Sequence, residues 1–274
     1  LSDGAFDSQN VVFWDQLRGM YVAYVRDWRH GYRTIRRSVS QDFRHWSIPE
    51  WVDFGGTPEE DLYTSAICPY FRAPHIYLGF PMRFVPQRHL IRSHREQGVS
   101  DCVFMSSRDG LHWDRRFMEA FVRPGLDPAN WTDRNIQMAY GVVPTGKDEL
   151  SLYWLEHYRH ESCRLRRGVL RLDGFVSLHG QYRGGEMITK PFTFTGEELV
   201  VNFSTSAVGS LRVEVQDLNR APIPGFELSP ELFGDSIEQQ IRWPNNPNLK
   251  AWAGKPVRLR FVLRDADLYS FQFR

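Results

Sequence analysis

Three short polar clusters carry the residue types of acid–base and hydroxyl-binding chemistry, each at the start of a β-rich apolar run. They are Asp7-Ser8-Gln9-Asn10, Asp61-Leu62-Tyr63-Thr64 and Asp133-Arg134-Asn135. Three loops rich in Arg, His and aromatics follow them in turn: Arg26-Asp27-Trp28-Arg29-His30, residues 83–95, and Glu156-His157-Tyr158-Arg159-His160. A carboxylate pair can supply a general acid and a general base. His and Asn side chains bond hydroxyls, aromatic rings stack on sugar rings, and guanidinium groups grip anionic substituents two bonds at a time. The catalytic candidates are therefore Asp7, Asp133 and Glu156. The substrate-binding candidates are Gln9, Asn10, Trp28, Tyr63, His75, Arg83, Arg134, Asn135, His157 and Arg159.

Each has a plainer reading beside the chemical one. Asp7 fits a strand-end cap, Asp133 a turn in Asn130-Trp131-Thr132-Asp133, Glu156 a buried salt link, and His75 a core histidine with satisfied hydrogen bonds. No His/Cys/Asp group has metal-ligand spacing, no Gly-rich loop leads from a strand into a helix, and no Ser elbow is present. Neither a metal nor a cofactor is expected. Cys68, Cys102 and Cys163 are too few for a disulfide scaffold.

The elements that would position these residues come from a repeat. Ser40-Gln41-Asp42-Phe43-Arg44-His45-Trp46 and Ser107-Arg108-Asp109-Gly110-Leu111-His112-Trp113 share the pattern Ser-x-Asp-x-x-His-Trp, and a degenerate copy spans 171–177 around Asp173. Asp in such a turn accepts backbone N–H bonds and Trp packs on the sheet. Ahead of the first heptad lie β-rich runs at 6–14, 21–26 and 32–40. The second is preceded by runs at 62–71, 75–84 and 99–107, and the third by runs at 135–143, 149–158 and 163–172. Three strands, a heptad turn and a short outer strand make one four-stranded propeller blade, present three times over residues 1–177. After residue 178 the pattern changes to short alternating strands at 198–204, 211–216, 237–243, 257–263 and 269–273, which predicts a β-sandwich over 178–274. In such blades the inner-strand starts and the loops joining strands two and three share one rim. All the polar clusters above therefore belong to one face.

The composition fits a globular protein rather than a disordered one. The 274 residues are 42% hydrophobic, 24% charged and 14% aromatic, and the formal net charge is +1. That balance gives no field to recruit nucleic acid or an anionic membrane, and no apolar run approaches the roughly 20 residues of a membrane-spanning helix.

Blades with Ser-x-Asp-x-x-x-Trp turns, followed by a sandwich, resemble the five-bladed propeller glycoside hydrolases of families 32, 43 and 68, family 32 above all. The resemblance implies an all-β protein of five-bladed type in which this chain supplies blades three to five and the sandwich. The two N-terminal blades would come from a longer polypeptide or another chain. It also implies a general acid at Asp7, where the family has Glu, and a nucleophile and a stabilising Asp in the two absent blades. The implied activity is hydrolysis of an oligo- or polysaccharide, possible anionic sugars included, with a non-catalytic glycan-binding propeller as the alternative. A polysaccharide substrate would place the protein outside the cell or in the periplasm.

Overall fold

The computed structural model describes residues 4–245 and 247–274. The chain is all-β, and it divides after Val169 into two compact units.

In the first repeat, β1 (Val11–Asp15), β2 (Met20–Arg29), β3 (Tyr32–Ser40) and β4 (Glu50–Trp51) form an antiparallel meander in that order. Asp15 makes the first turn by accepting from the backbone N–H groups of Leu17 and Arg18, and Gly19 provides the left-handed residue (φ 61°).

The second repeat is one four-stranded pattern cut across the middle. Its strands are β5 (Asp61–Leu62), β6 (Cys68–Tyr70), β7 (Ala73–Gly79), β8 (Met82–Val85), β9 (Val99–Val103), β10 (Met105–Ser107), β11 (Trp113–Asp114) and β12 (Ala120–Val122). They form two sheets of identical connectivity, β6-β7-β10-β11 and β5-β8-β9-β12. The cause is visible in the second run, where Pro81, with no N–H to donate, separates β7 from β8. The halves stay linked by bonds from Phe80 N–H to Ser65 O and from Val103 N–H to Pro81 O, both 3.0 Å.

The third repeat departs further. β13 (Gln137–Met138) and β14 (Val143–Pro144) both pair with β15 (Glu149–Glu156), whose other edge carries β16 (Arg164–Arg171). Among the described residues, this sheet has no strand in the place of the expected outer one. β17 (Leu178–Gly180) follows the third heptad copy but pairs with β21 (Arg258–Phe273) of the second unit. Asp173 has also left the turn pattern. It sits at φ 59° and accepts from Ser270 Oγ.

The two intact heptads are the same object. Asp42 Oδ1 accepts from Arg44 N–H and His45 N–H, each at 2.8 Å, and its Oδ2 bonds His45 Nδ1 at 2.6 Å. Asp109 does the same with Leu111, His112 and His112 Nδ1 at 2.8, 2.8 and 2.7 Å. In both, the Trp indole donates to the carbonyl of the left-handed residue, Phe43 (φ 64°) or Gly110 (φ 80°). Their surroundings differ. Trp113 is buried edge-on to Tyr24 at 5.8 Å, and Tyr24 Oη donates to Gly110 O at 2.8 Å. The first turn has no such cover, and Phe43 is 54% exposed. One core joins the first two repeats, with Val11, Val22, Tyr24 and Ile35 against Ile67, Tyr77, Met105 and Trp113.

The second unit is built on two very long strands. β19 (Leu199–Gln216) and β21 pair along most of their lengths through bulges near 205–210 and 264–266. What the sequence divides into four short strands is therefore two continuous ones. β20 (Asp235–Gln240) and β17 flank one half of this hairpin, and β18 (Gly185–Ile188) flanks the other. Leu199, Val201 and Phe203 from one half share a single core with Leu211, Val213, Val215, Leu259 and Phe261 from the other. A short 3-10 turn spans Leu249–Trp252.

Candidate functional site

The inner-strand starts do meet, around Tyr63. Three guanidinium carbons stand over its half-buried ring, those of Arg33 at 4.9 Å, Arg26 at 5.2 Å and Arg134 at 5.4 Å from the centroid. Phe84 closes the ring's edge at 5.9 Å. Each arginine is anchored by a carboxylate from one cluster. Arg26 pairs with Asp7, Arg33 with Asp61 at 3.1 Å, and Arg134 with Asp133. Arg33 also stacks on Trp28 at 4.3 Å, because the two face each other across the β2–β3 hairpin. Burial pulls the Arg26 guanidinium below its ordinary pKa, against the pull of Tyr63.

Asp133 is the hub of the third cluster. It is fully buried, and its carboxylate meets His94 Nε2 at 2.8 Å, Arg159 Nε at 3.2 Å and Arg134 Nη1. Four non-glycine residues around it adopt left-handed backbone: Arg134 (55°), Ile136 (58°), His157 (59°) and Arg159 (64°). Such geometry costs on the order of 1–3 kcal/mol per residue, and most for a β-branched residue like Ile136. Asn135 holds the strained loops together. Its amide donates to Thr132 Oγ1 at 2.8 Å and its carbonyl accepts from Tyr158 N–H at 2.7 Å. Loops 83–95 and 156–160 also meet through their histidines, His94 stacking on His160 at 5.1 Å and His157 lying 6.2 Å from His160.

Several expected site residues serve the framework. Gln9 bridges the three repeats by donating to Met138 O (3.0 Å) and accepting from Ala66 N–H (2.8 Å). Asn10 fastens its own strand start, donating to Ser8 O and accepting from Arg26 N–H. Arg83 makes a bidentate pair with Asp101 (2.9 and 2.6 Å) and also reaches Glu60 and Met118 O, so four donor bonds are spent inside the protein. Glu156 lies between Arg164 (3.0 Å) and Arg166 (3.1 Å). Burial alone would raise its carboxyl, but Arg166 and Arg164 outweigh that and hold it below its ordinary pKa, as an anion. That is the wrong direction for a general acid. His157 is clamped between Asp127 and Ser162, both at 2.8 Å. His75 is not in the core. It is exposed at the other end of its strand, where burial and then Arg108 and Arg18 lower its pKa. Asp7 remains open, with 64% of its side-chain surface exposed.

The residue missed is Arg33, three positions beyond the expected loop. The signal available was its place opposite Trp28 in the hairpin. Among the described residues, no group of three His, Cys, Asp or Glu side chains could hold a metal ion.

No protein-family model and no curated protein matches the chain. Solved structures similar to it include a complex of BT0996 with RGII, at 13% identity and TM-score 0.40, covering 59% of this chain and 45% of that one. A fructofuranosidase from Schwanniomyces occidentalis complexed with fructose is similar at 8% identity and TM-score 0.37, over 95% of this chain and 93% of that one. An exo-β-1,3-galactanase from Phanerochaete chrysosporium with galactose is similar at 9% and 0.27, over 94% and 80%. The chain spans less than half the length of the BT0996 structure and of a second similar structure, a glycoside hydrolase. At these values the likeness bears on neither activity nor site.

Proposed function

We propose that the rim around Tyr63 binds an acidic sugar unit of a glycan, in a carbohydrate-active β-propeller. The carrying observation is the three guanidinium groups gathered over one half-buried tyrosine ring, each with one carboxylate partner. Exposed Trp28 stacks on Arg33, and partly open Arg159 shares Asp133 with Arg134. An aromatic ring takes a sugar face, and an arginine cluster takes a uronate or sulfate by charge-assisted bonds. Losing such a bond costs about 1.5–3 kcal/mol. Arg134→Ala should therefore weaken binding of an oligogalacturonide roughly 10- to 100-fold, as read by calorimetry. Wild-type protein that does not bind the oligogalacturonide, or binding that is unchanged in Arg134→Ala, would falsify this reading.

A second reading, hydrolysis, is favoured by Asp7 alone. Of the three carboxylates with catalytic potential it is the one that keeps most of its side chain in solvent while paired with a single arginine, Arg26, whereas Asp133 and Glu156 are buried between two arginines each. Asp7 would protonate the leaving oxygen, and a second carboxylate would come from further β-sheets that complete the ring. Both flanks of the three repeats are fit to receive such sheets, since Val12, Trp14 and Phe43 are exposed on the first and Val143, Leu165 and Val169 on the third. Those sheets would belong to a longer polypeptide or to another chain. Reducing-sugar release that persists in Asp7→Asn would exclude Asp7 as the acid.

A further inference from the structure

The β2–β3 hairpin has two working faces. Trp28 and Arg33, directly opposed, point to the Tyr63 cage. On the other face the pairs Arg29–Tyr32 and Asp27–Thr34 stand opposite each other. Arg29, Tyr32 and Thr34 form one wall of a cavity of about 420 Å3, completed by Trp51, Asp53, Phe54, Thr57, Glu59, Glu60 and Arg115. That volume lies within the roughly 300–1,000 Å3 of small-molecule sites.

Its polar groups fall into two sets. The inner set is spent, because Arg115 is buried and pairs with Glu60 at 2.6 Å, which is also bound to Arg83. The outer set is open. Arg29 lies 5.7 Å from the Trp51 ring and, among the described residues, makes no ion pair or hydrogen bond through its guanidinium. Tyr32 presents an exposed ring and hydroxyl. Asp53 uses one carboxylate oxygen on Gly55 N–H, and exposed Glu59 meets, among the described residues, His30 alone, at 2.9 Å. An open cation, two acceptor carboxylates and an exposed aromatic face do not suit a second anion. They suit a ring bearing several hydroxyls, which stacks on Tyr32, donates to Asp53 and Glu59, and accepts from Arg29.

We propose that this cavity is a second saccharide subsite, specific for a neutral sugar unit and separated from the acidic-sugar rim only by the thickness of one hairpin. It deepens the reading above, on which its ligand class rests. It further implies that the glycan carries acidic and neutral units.

The test is a titration of the full chain, with indole 15N signals of Trp51 and Trp28 read separately. The probes are a panel of neutral saccharides (glucose, galactose, xylose, arabinose and their β-linked disaccharides) and an oligogalacturonide. At least one neutral saccharide should shift Trp51 saturably, and Arg29→Ala or Tyr32→Ala, both surface changes, should weaken that response roughly tenfold. Trp51 unmoved by the whole panel, or a shift that survives both substitutions, overturns the subsite. A Trp51 response without any Trp28 response to the oligogalacturonide supports the subsite and removes the rim reading. The converse pattern keeps the rim and removes the subsite.

Discussion

Asp133 shows how a single carboxylate can hold a site without performing its chemistry. With no exposed surface and three cationic or imidazole partners, it balances charge that the loops would otherwise leave buried and unpaired. Asp133→Asn should cost stability toward the lower end of about 3–5 kcal/mol, since Arg159 is partly solvated. Urea denaturation would read this, and a loss under about 1 kcal/mol would contradict the assignment. His160 adds a pH signature. Burial, then His94 and His157, depresses its pKa below the ordinary value. As pH falls through about 6.5, the unfolded protein takes up a proton that the folded one refuses, so stability declines there and levels once folded His160 is also protonated. His160→Gln should flatten that part of a melting-temperature profile taken between about pH 8 and pH 5. The sequence showed these residue types on one rim but not which were already spent. Arg164 and Arg166, alternating along β16, were the visible sign that Glu156 would be neutralised.

The heptad turns belong to the scale of elements. Ser107 is buried, accepts from Gly110 N–H at 2.8 Å and donates to His112 O at 2.6 Å. Ser107→Ala orphans both groups and should cost about 1–3 kcal/mol. Gly110→Ala should be worse. A Cβ there would stand 2.5 Å from Tyr24 Oη and from the Tyr77 ring, at a φ of 80° that already costs about 1–3 kcal/mol for a residue other than glycine. Phe43→Gly, at the matching open position, should change stability by less than about 1 kcal/mol; an equal loss at both sites would show that the two turns share the same surroundings. The first repeat was legible nearly strand for strand, because alternation and turn residues agreed there. In the second, Pro81 announced a break, but its repetition across all four strands is a property of the sheet. In the second unit, the bulges near 205–210 and 264–266 resemble chain reversals in sequence, and only pairing in three dimensions makes each strand continuous.

For the whole molecule, the notable feature is the pair of apolar flanks on the repeats. Trp14 is 45% exposed and Leu165 64%. The isolated chain should self-associate, and Trp14→Lys with Leu165→Lys should shift it toward monomer in light scattering while circular dichroism stays unchanged. A chain that is monomeric before the change would remove the flanks as docking surfaces. Phe43 makes the first flank selective. A sheet resting there as the first repeat rests on Gly110 would bring a tyrosine into the space that the Phe43 side chain fills. Only a neighbour with a small residue at that point can seat. The first heptad would thus gauge any sheet that docks there, by setting the size of the residue that can face Phe43.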